Sequence, residues 1–210
     1  MKSTEPVADR ILRVAKELFA SKGYEQTRTS EVARLAGTSE SQLIKYFGGK
    51  QGLLSAIFDH GWAAIITSAE AELAAPRSAP EKLRTIARMV VGAFEKDRTW
   101  AALVLLEGRR LRGESADLIL TRKFLQFVSL IDDVVVEMKK AGLLRPGVHH
   151  QLVRSSMMGM MEGLIRDRLL AERIGYPAHY RNADVFVALD ALLKCFVISR
   201  KRRSTKATPA

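Results

Sequence analysis

The stretch Thr29-Ser30-Glu31-Val32-Ala33-Arg34-Leu35-Ala36-Gly37-Thr38-Ser39-Glu40-Ser41-Gln42-Leu43-Ile44-Lys45-Tyr46-Phe47 decides the fold. It holds two short segments with helical apolar spacing, hinged at Gly37, and too few residues link them for the helices to lie antiparallel. They must cross steeply, which is the helix-turn-helix arrangement. The first helix of such a pair crosses the DNA backbone, and the second is narrow enough to enter the major groove. At about 100° per residue, Leu43 and Phe47 share one side of the second helix and face Ala33, Ala36 and the helix before. Ser41 and Lys45 point the opposite way, flanked by Gln42 and Ile44.

That sidedness gives each polar residue a candidate role and a plainer alternative. Gln42 suits a base edge, adenine first; equally, it completes a capping box with Ser39. Lys45 can meet guanine or a phosphate, or remain solvated. Tyr46 can donate its hydroxyl to a phosphate, or sit as an aromatic at the edge of the core. Thr29, expected as an N-cap, and Lys50 stand at helix N-termini, where backbone N–H groups and the dipole favour an anion. Glu40 is awkward beside phosphates unless it accepts from a cytosine N4 or a capping group.

Working outward, nearly every segment keeps the 3.6-residue period, and none alternates like a strand, so the chain reads as all-α with nine helices. The first helix runs from about Pro6 to Lys22, with Gly23 as its stop. A long helix runs from Lys50 to Leu73 despite Gly61 in its middle. Ser78 and Glu81 form a capping-box signature for the next helix. Further helices are expected over about Thr99 to Leu111, from a Ser115 cap through Lys140, over about His149 to Ile174, and over about Asn182 to Ser199. These divide into a DNA-binding unit over 5–65 (helix-turn-helix 28–47), a helical ligand-binding and dimerisation unit over 66–200, and a basic disordered tail over 201–210.

Composition bounds the class. Of 210 residues, 47% are hydrophobic and 27% charged, ordinary for a globular protein with a sizeable core. The lone Cys195 forbids an internal disulfide and fits a reducing cytosol. The start, Met1-Lys2-Ser3-Thr4-Glu5-Pro6, has no apolar run of a secretory signal, and no stretch reaches membrane-span length, so a cytoplasmic protein is expected. Of the net charge of +11, five units fall on residues 200–210, so net charge alone says little about DNA.

The segments Arg10-Ile11-Leu12, Ala15-x-x-Leu18-Phe19-x-x-x-Gly23-Tyr24, Thr29-Ser30-Glu31-Val32-Ala33, Ala36-Gly37-Thr38-Ser39 and Tyr46-Phe47-x-x-Lys50-x-x-Leu53-Leu54 resemble the TetR family of bacterial transcriptional regulators. The resemblance implies a three-helix DNA-binding domain, a fourth helix joining it to a ligand-binding domain, and a homodimer on a palindromic operator. By position, the family's DNA contacts fall on Thr29, Ser30, Ser41, Gln42, Ile44, Tyr46 and Lys50. The family usually has an aromatic where Ile44 stands; Ile44 offers a thymine methyl an apolar contact instead.

Beyond the fourth helix the resemblance implies that the last two helices pair with their copies. Ser155, Gly159 and Gly163 recur every four residues and allow close helix approach; Phe186, Leu189, Leu193 and Phe196 add apolar surface, with plain intramolecular core as the alternative. Met157, Met158, Met160 and Met161 suit either a tolerant pocket or gap-filling core. Candidate pocket walls elsewhere are Trp62, Ile66, Phe94, Leu103, Phe127 and Ile131, with Glu107 for a ligand's polar end or for a salt bridge to Arg110 or Arg112. His149 and His150, as neighbours at a helix start, are expected to point apart and make a poor metal pair. Asp132-Asp133 reads as a solvated or ion-paired surface. No catalytic set, cofactor motif or metal set is expected. A ligand-responsive repressor is therefore expected, against two rivals: an architectural or cell-division factor without an inducer, and an all-helical enzyme.

Overall fold

The computed structural model describes residues 5–107 and 120–198. Nine α-helices stand among the described residues: α1 (Val7–Lys22), α2 (Thr29–Leu35), α3 (Glu40–Phe47), α4 (Lys50–Leu73), α5 (Ala79–Lys96), α6 (Arg98–Ala102), α7 (Arg122–Lys140), α8 (His150–Ile174) and α9 (Asn182–Phe196). A π-helical turn, Leu103–Glu107, continues α6. No helix among the described residues is long and apolar enough to cross a membrane.

The first three helices pack through Ile11, Phe19, Val32 and Leu43, each fully buried. Gly37 makes the sharp corner between α2 and α3. Its φ of +65° is a left-handed conformation that glycine adopts without a Cβ penalty. There the Gly37 and Thr38 amides donate to the carbonyls of Arg34 (3.2 Å) and Ala33 (3.0 Å), closing the end of α2.

Helix α4 is the spine of the molecule. It packs on α1 and α3 and also on α5 and α7. Gly61 is explained by its neighbour: a Cβ there would lie 2.2 Å from Cε2 of Trp100. The missing side chain lets the Trp100 ring lie against α4. Helix α5 begins as its sequence indicates, with the Ser78 amide and hydroxyl both donating to Glu81 Oε2 at 2.9 and 2.6 Å.

Three expectations about helix ends need correction. Helix α7 starts at Arg122 rather than after Ser115, because the Thr121 hydroxyl caps it by accepting from the Phe124 amide at 3.2 Å. The Lys123 amide also donates to Asp59 Oδ1 of α4 at 3.0 Å, which pins that start. Helix α9 stops at Phe196 because Val197 turns extended and bridges Leu144, with the Ile198 amide donating to the Leu143 carbonyl at 2.8 Å. The helix before α7 is five residues followed by the π turn, rather than one run from Thr99. Ser115, Arg110, Arg112, the far end of the expected 99–111 helix, and the tail 201–210 lie outside the described residues, as does the Glu107 side chain.

Candidate nucleic-acid interface and effector chamber

On α3, Leu43 is fully buried while Ser41, Gln42, Ile44, Lys45 and Tyr46 are all exposed. Phe47 is half-buried, with its ring 6.1 Å from that of Tyr46. Tyr46 is 52% exposed, which sets aside its core-edge alternative. The predicted face is therefore an unobstructed strip on a helix anchored by Leu43 and, in part, by Phe47.

Side-chain hydrogen bonds pre-set parts of this strip. The Ser39 hydroxyl accepts from the backbone amide of Gln42 at 3.2 Å, so Ser39 caps α3. The Gln42 carboxamide oxygen accepts from the Thr38 hydroxyl, so its side chain does not close a capping box. Thr29 is not the N-cap of α2. That position is Arg28, and the Thr29 hydroxyl donates across the motif to Glu40. Ser30 is exposed in the first turn of α2. The Lys50 ammonium lies 4.4 Å from the Tyr24 ring centre and donates to the Glu25 carbonyl at 3.1 Å, a cation–π perch beside the start of α4.

Behind α4 an aromatic chamber opens between α4, α5, α7, α8 and the π turn. Trp62 stacks on Phe127 with centroids 4.9 Å apart, and meets Phe124 at 5.1 Å, Trp100 at 5.2 Å and Phe94 at 6.3 Å. The cavity beside them has a volume of about 110 Å³, and among the described residues Glu162 is its one charged lining residue. Of the predicted walls, Trp62, Phe94, Phe127 and Met161 line it. Ile131 and Met157 line an adjoining recess of about 20 Å³. Ile66 and Leu103 are buried core residues that line neither space, and half-buried Met160 packs on the core without lining either.

The outward faces of α8 and α9 correct part of the expected pairing surface. Ser155 and Gly159 are exposed, Gly163 is half-buried, and a Cβ on either glycine would meet nothing within 4 Å. Phe186 and Phe196 are half-buried against the core. Leu189 and Leu193, by contrast, are 4% and 1% exposed inside the chain's own core, so they are not free to meet a second copy. The outward stripe of α9 is Val187, Ala191 and Cys195, with Val187 69% exposed.

Comparison with known proteins fits this geometry. Residues 11–57 match the family described as "Bacterial regulatory proteins, tetR family", and residues 58–189 match "YsiA-like protein, C-terminal region". The chain belongs to the TetR family. It is a helix-turn-helix, DNA-binding transcriptional regulator of the kind that binds an operator as a dimer and responds to a small molecule. The "Fatty acid metabolism regulator protein" of Bacillus subtilis (strain 168) is 24% identical over 163 residues, spanning 77% of this chain and 83% of that one. The "HTH-type transcriptional repressor NicS" of Pseudomonas putida (strain KT2440) is 30% identical over 74 residues, 35% of this chain and 34% of that one. The solved structure of the "transcriptional regulator FadR from Bacillus subtilis in complex with stearoyl-CoA" superposes with a TM-score of 0.76 at 21% identity, covering 92% and 99% of the two chains.

Met158, one of the four clustered methionines, lines the cavity as the pocket reading required, whereas for this TetR-family chain sequence reasoning missed other lining residues, among them Phe124 and Glu162. Phe124 follows the unexpected start of α7, so no spacing argument placed it. The α9 stripe was readable: Val187, Ala191 and Cys195 recur every four residues, but stronger hydrophobes drew attention to the opposite face. The His149 and His150 rings stack at 4.5 Å rather than point apart, and no group of three metal-binding side chains occurs among the described residues. Asp132 pairs with Arg154 of α8, as an ion-paired surface requires.

Proposed function

We propose that this regulator is a repressor that grips a palindromic operator as a homodimer and releases it when a long-chain fatty acyl thioester enters the aromatic chamber. The observation that carries this reading is the position of Trp62. It belongs both to the chamber and to α4, whose first turns buttress the recognition helix. Stearoyl-CoA in the similar B. subtilis structure, and the fatty-acid role named for the B. subtilis relative, support the ligand class.

Volume suggests the mechanism. A cavity of about 110 Å³ is well below the ~300–1,000 Å³ of ordinary ligand pockets. A long chain therefore enters by spreading α4, α5, α7 and α8. Because α4 carries the DNA-binding helices, spreading turns them away from the ~34–36 Å spacing of successive major grooves. The ligand thus favours the conformer that fits the operator poorly.

In this reading the reading face is Ser41, Gln42, Ile44 and Lys45. Thr29, Ser30, Tyr46 and Lys50 stand at the phosphates. The DNA-binding unit covers 5–65 and the sensing and pairing unit 66–200. The protein acts in the cytoplasm by binding rather than by catalysis, a reading supported by relatives that are regulators.

The test begins with full-length protein and operator duplexes obtained by footprinting, followed by titration with stearoyl-CoA and, separately, free CoA. Operator affinity should fall some 5- to 150-fold with stearoyl-CoA, for a coupling of ~1–3 kcal/mol, and hold steady with free CoA. Operator binding unmoved by saturating stearoyl-CoA overturns the ligand class. Unmoved footprints after Gln42→Ala and Lys45→Ala together overturn the reading face.

A further inference from the structure

We infer that Glu40 is a sequence-reading residue that requires an amino donor, the N4 group of a cytosine, at one position of each half-site. The inference rests on α3 being the reading helix.

Glu40 is the first residue of α3 and is exposed. Recognition helices contact base edges through their N-terminal residues. A carboxylate there is costly, since phosphates on both strands repel it, unless it receives a hydrogen bond that only some sequences supply. Glu40 has no ion pair among the described residues that would neutralise it, and Ser39 already caps the helix. Its position is nonetheless restrained. One oxygen, Oε1, accepts from the Thr29 hydroxyl on α2, and Oε2 takes no hydrogen bond among the described residues. The side chain is thus a tethered acceptor with one oxygen left over.

The chemistry of the major groove selects the base. An ionised carboxylate can only accept. Guanine offers O6 and N7 and thymine offers O4, all acceptors that repel it. Adenine offers N6 beside the N7 acceptor, and cytosine offers N4 alone. Cytosine is therefore favoured. The next residues have the opposite polarity. Gln42 places its carbonyl oxygen on the Thr38 hydroxyl, leaving its N–H groups to donate, and Lys45 can only donate. The face runs from acceptor to donors along α3, matching a half-site in which a cytosine amino group is followed by acceptor edges.

The experiment selects binding sites from a randomised duplex library with the full-length wild type and with Glu40→Gln and Glu40→Ala. The wild type should show one symmetric pair of positions fixed as cytosine. Glu40→Ala should lose about tenfold discrimination there and nowhere else, the usual scale for one base pair. Glu40→Gln keeps an acceptor for Thr29, so α2 and α3 stay joined. With that acceptor on Thr29, the free oxygen is replaced by a donating amide, so the preferred base at that position should shift from cytosine to one presenting acceptors, guanine or thymine. A Glu40→Gln profile identical to the wild type, or retained cytosine preference in Glu40→Ala, overturns the inference and leaves Glu40 a structural tether. If Gln42→Ala and Lys45→Ala also leave every base preference unchanged, the assignment of α3 fails instead.

Discussion

Leu43 and Ile44 are adjacent, and their contrast shows how much one helical step decides. Leu43 is 0% exposed and Ile44 is 52% exposed. Leu43→Ala should destabilise the DNA-binding helices by about 2–5 kcal/mol, as for other buried leucines. Ile44→Ala should change stability by no more than about 0.5 kcal/mol, its effect falling on operator binding. Thermal melting beside a binding isotherm separates the two, and equal melting losses would contradict the described sidedness. Both orientations were legible in the sequence, because periodicity fixes which side of a helix is apolar. The Thr29–Glu40 bond was not legible, since it joins residues on two helices whose crossing no local pattern specifies. Gly61 reads as a weakness in a helix until Trp100 is seen against it. Gly61→Ala should cost about 1–3 kcal/mol by overpacking, measured by chemical denaturation; a neutral result would mean that α6 gives way easily.

Helix starts and stops were mostly legible, because capping chemistry is local. Ser78 with Glu81 marked α5, whereas α7 escaped because its cap, Thr121, is reinforced by Asp59 from another helix. Hydrogen bonds from the Ser78 hydroxyl and amide hold the Glu81 carboxyl below its usual range. Its contribution to stability is therefore complete above the ordinary carboxylate pKa and disappears as pH falls through the depressed one. Glu81→Gln should flatten that part of the acid limb of a stability–pH curve, and an unchanged limb would remove Glu81 from the account. Lys16 of α1 pairs with Asp97 at 2.5 Å, and the other oxygen of Asp97 accepts from the Trp100 amide at 2.9 Å. One carboxylate thus ties the DNA-binding helices to α6 beside the chamber wall. The pair is partly exposed, so Lys16→Met should alter stability by less than about 1 kcal/mol. On the proposed mechanism it should reduce any change in operator affinity that stearoyl-CoA causes. Full coupling in that variant would place the connection in α4 alone.

For the molecule as a whole, the sequence disclosed the all-helical fold class. The chamber was only half legible, because it depends on how four helices and the π turn meet. Val187, Ala191 and Cys195 on α9 and Ser155 and Gly159 on α8 are exposed, and we propose them as the surface that meets a second copy. Val187→Asp should shift the protein toward monomer in sedimentation without disturbing the monomer's helicity. Operator affinity should fall with it, because a single subunit engages one half-site. A stable dimer in that variant would move the interface elsewhere.

The chain has two tryptophans, and both are buried in the chamber's aromatic cluster, 5.2 Å apart. Light absorbed at the red edge of the ultraviolet band is therefore emitted from this one place. No dye or engineered label is needed to watch ligand arrival in real time. On the proposed mechanism, a stopped-flow trace of that emission, set beside one from fluorescently tagged operator, should give the interval between chamber filling and DNA release.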